Sequence, residues 1–167
     1  MTTKTIRAHC VEQLTAAKIG VVYDSLTTPL NPRLLPAIIV YTPKNTADPL
    51  SITGNHYNVT TLLEIQAVAQ GTGDTPLADA LSNLEVAILS TILRTWGPDL
   101  GSIRWKGTEF GSLGDGDYRR GSLLITFEVT HRLDLDRFEP EPIEIMMVDV
   151  EHEKRYLTSW KGELGEL

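Results

Sequence analysis

From Tyr57 to Gln70 the chain alternates. Tyr57, Val59, Thr61, Leu63, Ile65, Ala67 and Ala69 fall on one side of an extended backbone, and Asn58, Thr60, Leu62, Glu64, Gln66, Val68 and Gln70 on the other. Successive side chains of a strand point to opposite faces, so this period belongs to a long β-strand with one apolar and one mixed face. Such a strand cannot stand alone. Its backbone donors and acceptors need neighbouring strands, and its apolar face needs a covering layer. The chain is thereby constrained to a sheet with something packed on it.

The next segment supplies that layer. Gly71 and Gly73 break the strand, Asp74 or Thr75 stands where a helix is capped, and Pro76 is placed in the first turn. Leu77, Leu81, Leu84, Ile88 and Ile92 then recur at helical spacing to about Arg94, and Trp96-Gly97-Pro98 ends the run. A second amphipathic helix is predicted over residues 3–18, with Ile6, Cys10, Leu14 and Ala17 on its apolar side and Gly20 as its stop.

The other strands are shorter signals. Val21 to Asp24 is a short strand candidate. TTPLNPRLLP, with three prolines in ten residues, reads as loop. Ala37 to Thr42 is an apolar, β-rich run of the kind covered on both faces. Residues 43–56 are polar and carry Pro43, Pro49 and Gly54, so they read as an exposed loop or hairpin arm, long enough to suggest a functional element. Ile103 to Phe110 is a strand, GSLGDGD a turn, and Leu123 to His131 an alternating strand. The order α-β-β-β-α-β-β gives an α+β fold: a mixed, mainly antiparallel sheet with two helices packed on it. After Arg132 the texture turns acidic and proline-bearing. Residues 1–132 are read as the domain and 133–167 as a C-terminal extension, in which Ile143 to Val150 has the pattern of one more strand.

Charge and cysteine content narrow the function. A formal net charge of −7 argues against gripping nucleic-acid phosphates, which takes clustered Lys and Arg. An acidic wall past which DNA slides is compatible with it. The one cysteine, Cys10, excludes an intrachain disulfide and reads as a small buried hydrophobe rather than a reactive thiol. The first residues lack the apolar run of a signal peptide, and no window reaches the ~18 apolar residues of a membrane span. The expectation is a protein that folds in the cytoplasm or is carried in a particle built there, with no membrane partner.

Chemistry is hard to place. His9, His56, His131 and His152 fall in no zinc or metalloprotease spacing, and His131 continues the apolar face of a strand, as a core or interface histidine does. There is no GxSxG elbow and no P-loop, and the glycine-rich Gly111–Asp117 stretch joins two strands as a hairpin turn does. Asp115-x-Asp117 lacks the remaining positions of a calcium loop and reads as a solvated turn. No catalytic, cofactor-binding or metal-binding residue is assigned, and no cofactor is expected.

Taken in order, these segments resemble the minor tail proteins of long-tailed phages, in particular the tail terminator family that includes the terminator of phage lambda. Four blocks carry the resemblance: TIRAHCVEQLTAAK leading to VVYDS; LPAIIVYTP after a proline-bearing loop; TTLLEIQAVAQG followed by ADALSNLEVAIL; and GTEF, an acidic turn and SLLITFEVTHR. They span about residues 3–132 as a pattern of hydrophobic blocks and turns. The resemblance implies a virion protein, assembled in the host cytoplasm, that forms a homo-oligomeric ring, expected to be a hexamer, at the end of the tail tube. It ends tube polymerisation and presents its other face to a head-completion or connector protein, with DNA only as cargo passing through the lumen.

That task needs interfaces rather than an active site. The expected contact residues are Leu62 and Val68 on the mixed strand face, Trp105 and Trp160 (with Trp96) among the aromatics, and Asp115, Asp117, Arg119 and Arg120 around the acidic turn. The alternative for the apolar ones is that they finish the monomer core, and for the arginines that they are ordinary surface charge. Two further functions compete: another head–tail connector or tail-completion protein, and a small cytoplasmic hydrolase with a carboxylate site, which requires a pocket with convergent polar groups.

Overall fold

The computed structural model describes residues 2–25, 32–50, 55–71, 76–113 and 120–135. All of them belong to one compact unit, Met1–Arg137. The elements run α1 (Thr3–Ala16), β1 (Val21–Asp24), β2 (Ala37–Pro49), β3 (His56–Gln70), α2 (Leu77–Thr95), β4 (Ser102–Leu113) and β5 (Arg120–Asp134), with short 3-10 turns at Pro32–Leu34 and Pro98–Leu100. This is the predicted order, and the fold is α+β.

The five strands lie in the order β1-β2-β3-β5-β4, so β3 and β5 are central and β1 and β4 are the edges. β1 runs parallel to β2, and the other neighbours are antiparallel. β3 and β5 pair along their full length, from His56 opposite Asp134 to Gln70 opposite Arg120. The alternation read in the sequence is the one observed: Val59, Thr61, Leu63, Ile65, Ala67 and Ala69 are buried on one face, matched by Leu123, Ile125, Phe127, Val129 and His131 on β5.

Both helices sit on that face. α1 lies against β1 and β2, α2 lies against β3 and β5, and the helices touch each other. Ile6, Cys10 and Leu14 of α1 and Leu81, Leu84, Ile88 and Ile92 of α2 join the sheet residues in one core. Burying a side chain of this size is worth about 1.5–3 kcal/mol. The Arg7 guanidinium ties α1 to the sheet, donating to Asp24 at 2.8 Å and to the Thr42 hydroxyl at 3.2 Å.

Five boundaries differ from the sequence reading. α1 stops at Ala16, and Ala17 is its exposed C-cap rather than part of the apolar stripe. Pro76 is the N-cap of α2, extended at φ −53°, ψ 141°, not a first-turn residue. Asp74 and Thr75 lie outside the described residues. β2 does not end at Thr42: it continues to Pro49, so the polar stretch is one strand of an exposed arm. Backbone pairing with β3 holds it there without apolar side chains, and a register shift between Tyr41 and Lys44 absorbs Thr42 and Pro43, whose ring lacks a ladder donor. Gly111 to Leu113 likewise extend β4 instead of opening the turn, and β5 passes the expected boundary at 132 to reach Asp134.

Two glycines permit close approaches. A Cβ at Gly20 would lie 2.5 Å from the Pro36 carbonyl oxygen, beside the point where Val21 donates to that same oxygen. Gly101 has φ 79°, and a Cβ there would stand 2.2 Å from the Thr130 carbonyl oxygen. That turn brings the chain from α2 into β4.

Candidate functional site

The helix layer is narrower than the sheet. α2 covers β3 and β5, and its buried stripe of Leu81, Leu84, Ile88 and Ile92 points down onto them. β4 lies one strand further out. Register puts Trp105 opposite Phe127 and Phe110 opposite Leu123, on the helix-bearing face. Phe127 and Leu123 are sealed, whereas Trp105 is 46% and Phe110 56% exposed.

α2 adds to this bare margin. Ala80, Asn83 and Ala87 line a cleft with Ile19, on the side of α2 that faces α1. Val86, Leu89 and Leu93 fall on the opposite side of the helix wheel, toward β4. Leu89 packs partly into the core, while Val86 is 65% and Leu93 46% exposed. Helix side and strand face together make an apolar band along the β4 edge. Half-exposed side chains of this size leave roughly 400 Å² of apolar surface in water, within the ~300–600 Å² of the largest apolar patch on an ordinary monomer, which is often a functional surface.

The far edge has its own, smaller apolar exposure. Val21 of β1 and Leu34 just before β2 are both about 40% exposed. β1 pairs only with Ala37–Val40, so among the described residues the outer edge of β2 from Tyr41 onward has no strand beside it. At the arm's tip Leu50 is exposed, and His56 Nδ1 stands 3.2 Å from the Asp134 carboxylate.

The expected contact residues divide as follows. Trp105 is on the bare band. Leu62 is half-buried on the other sheet face, in a shallow depression with Lys44, Thr46, Thr60 and Glu128. Val68 is 5% exposed, between Ala37 and Ser122, so its own chain already covers it. Arg120 opens β5 and is half-buried. Trp96 belongs to the core margin: its Nε1–H donates to the Gly101 carbonyl at 3.0 Å, and its ring meets His9 edge-on at 5.8 Å. Asp115, Asp117, Arg119 and Trp160 lie outside the described residues, as does the strand expected at Ile143–Val150. Phe110, Val86 and Leu93 were not singled out by sequence. The signal was there for the last two, as apolar residues of α2 that its buried stripe leaves unused.

The reactive side chains are held in inert surroundings. Cys10 is fully buried, and burial pushes its thiol up to about 12, so it is uncharged at neutral pH. The Tyr41 hydroxyl is pushed up to about 12 by burial and by its hydrogen bond to Glu64. His131 shares a 3.3 Å hydrogen bond with the Thr61 hydroxyl under the Gly101 turn, and burial pushes its pKa below the ordinary value of 6.5. Among the described residues no group of three or more His, Cys, Asp or Glu side chains is placed to hold a metal ion. The apolar cleft beside α2, about 580 Å³, is lined by Ile19, Leu35, Pro36, Ala69, Leu84 and Ala87 among others, with the amides of Gln70 and Asn83 as its polar side chains. Among the described residues no ionisable side chain stands in that lining to carry proton transfer.

No protein-family model matches this chain, and a search of the curated proteins finds no significant relative.

Proposed function

We propose that the chain is a structural subunit of a phage tail, a terminator that closes into a ring on the end of the tail tube, stops its growth and offers its far face to the head-joining proteins. One observation carries the reading beside the sequence resemblance. Among the described residues the five-stranded sheet ends in two different edges with no strand beside them, and exposed apolar side chains occur at each: Val86, Leu93, Trp105 and Phe110 by β4, Val21 and Leu34 by β1. A subunit with sticky surfaces on opposite sides associates head to tail, and head-to-tail contacts that close make rings.

The α-β-β-β-α-β-β order is also the one the resemblance implies. The polar arm of β2 and β3, reaching beyond the helices, is suited to docking on a tube or connector, because its exposed side chains (Lys44, Asn45, Thr46, Asp48, Asn58) are hydrogen-bonding groups.

The test is the mass of the full chain by light scattering, with negative-stain microscopy of the same samples. With 18.5 kDa per chain, the expected outcome is a shift toward six copies as concentration rises, and annular particles. A chain that stays a single copy at millimolar concentration and shows no annular particles overturns the reading.

A further inference from the structure

We propose that the turn from α2 into β4 is an acid-released joint: when His131 takes up a proton, residues 96–101 lift off β5 and carry the first half of β4, Ser102–Trp105, with them, while β3 and β5 stay paired. It holds whether or not copies of the chain associate.

Register decides what covers His131. It stands opposite Val59 of β3, with Thr61 as its diagonal neighbour, on the face the helices cover. β4 begins at Ser102, opposite Thr130, so on the other side Gly101 closes over His131 instead of a strand residue. A Cβ at Gly101 would stand 3.0 Å from the His131 Cβ. The imidazole is buried. Its Nε2 shares a 3.3 Å hydrogen bond with the Thr61 hydroxyl, and its Nδ1 is buried with no partner among the described residues. With Nε2–H donating to Thr61, the neutral ring leaves only a lone pair at Nδ1. Protonation adds an N–H and a charge there, and a buried donor or charge without a partner is costly.

The surroundings do not offset that cost. β3 presents Val59, Thr61 and Leu63 on this face, and α2 ends in Ile92 and Trp96. The 3-10 turn carries Asp99, the start of β4 Arg104 and β5 itself Arg132, all three exposed to water. α1 brings His9, whose ring meets Trp96. Burial pushes the pKa of His131 down, the Arg132 backbone opposes this to a lesser degree, and the positive amino terminus adds to it.

Which side yields is set by how each is held. β3 and β5 pair along their full length. The cover is short: Leu100 and Gly101 donate within the turn, to the Gly97 and Pro98 carbonyls, and the Trp96 Nε1–H holds the Gly101 carbonyl at 3.0 Å. Beyond it the β4 ladder shifts register between Trp105 and Gly107, so Ser102–Trp105 can leave without unzipping the rest of the strand. Short edge segments open at lower free energy than a core.

Native-state amide exchange of the full chain, read by NMR from pH 7 to pH 5, tests this. Exchange through an opening that takes up no proton slows about tenfold per pH unit, because hydroxide catalyses it. An opening that takes up one proton grows about tenfold per unit below pH 6.5, which cancels the slowing. Amides of Leu100–Trp105 are therefore expected to exchange at a nearly constant rate below pH 6.5, and faster than those of β3 and β5 throughout. The protected amides of β2 beyond Tyr41 are expected to slow about tenfold per unit. His131→Gln, which keeps a hydrogen-bonding group for Thr61 and does not titrate, should restore that slowing in the joint. His9→Phe keeps an edge-on ring and should keep the flat response. Trp96→Phe drops the bond to Gly101 and should speed joint exchange roughly fivefold at every pH.

Joint amides that slow about tenfold per unit in the wild-type chain overturn the proposal. So do joint amides that exchange in step with β3 and β5, since release would then be global unfolding. A flat response lost in His9→Phe and kept in His131→Gln also overturns it. If His131→Gln does not fold, the His131 ring resonances of the wild-type chain decide: a midpoint below 6.5 is expected, and one at or above 6.5 overturns the proposal.

Discussion

Phe127 and Trp105 face each other across one register pair, on the same side of the same sheet, yet one is sealed and the other half in water. The difference is the reach of α2. Over β3 and β5 the helix completes a core in which Leu63, Ile65, Ile125 and Phe127 have no exposure. One strand further out, the same pattern of apolar side chains continues without a cover among the described residues. The centre uses apolar surface to hold the chain together, and at the edge, among the described residues, that surface is left in water. A monomer optimised only for its own stability has little reason to keep an aromatic pair bare on an edge strand.

The largest test of that contrast is truncation. Phe127→Ala opens a cavity beneath α2 and should cost about 3–5 kcal/mol in urea unfolding. Gly101→Ala should follow at about 3 kcal/mol, since the left-handed backbone and the Thr130 carbonyl both oppose a Cβ; wild-type stability in that variant would mean the turn into β4 is not tightly held. Next comes pH. Because the pKa of His131 is lowered in the folded chain, the unfolded chain takes up the proton first. Its contribution is therefore complete well above pH 6.5 and is lost as pH falls through 6.5 toward the lower folded value. The urea midpoint should drop between pH 7.5 and pH 5.5, and the drop should shrink in His131→Gln. The smallest stability change is expected at the edge: Trp105→Ser should alter monomer unfolding by less than about 1 kcal/mol while abolishing association. An edge truncation as costly as Phe127→Ala would erase the distinction between the two regions.

The covered region was legible in the sequence because periodicity reports burial. The alternation of Tyr57–Gln70 and the stripe Leu81, Leu84, Ile88 and Ile92 are consequences of one layer lying on another, and both were readable from spacing alone. Ends were less legible. Nothing apolar announces that β2 runs to Pro49, because its outer half is held by backbone pairing with β3, which leaves little mark on side-chain choice. The candidate surfaces were half legible. Trp105 was singled out for its size, but Val68 could not be told from an exposed residue, since the burial of the mixed face depends on what three-dimensional neighbours lie over it. Phe110 was hidden because a phenylalanine in an edge strand has the same local pattern as one in the core. Exposure there depends on where α2 ends its coverage, a long-range fact.

The account stands most directly on what the chain does to a growing tube. A phage tail-tube protein, from the tail to which the proposal assigns this chain, is polymerised with and without the chain, and tube lengths and ends are read by electron microscopy. The account predicts that lengths stop increasing once the chain is added, that one end of each tube bears an annular cap, and that the Trp105→Asp/Phe110→Asp variant gives no complete cap. Tubes that grow to the same length with bare ends in the presence of the wild-type chain would contradict it.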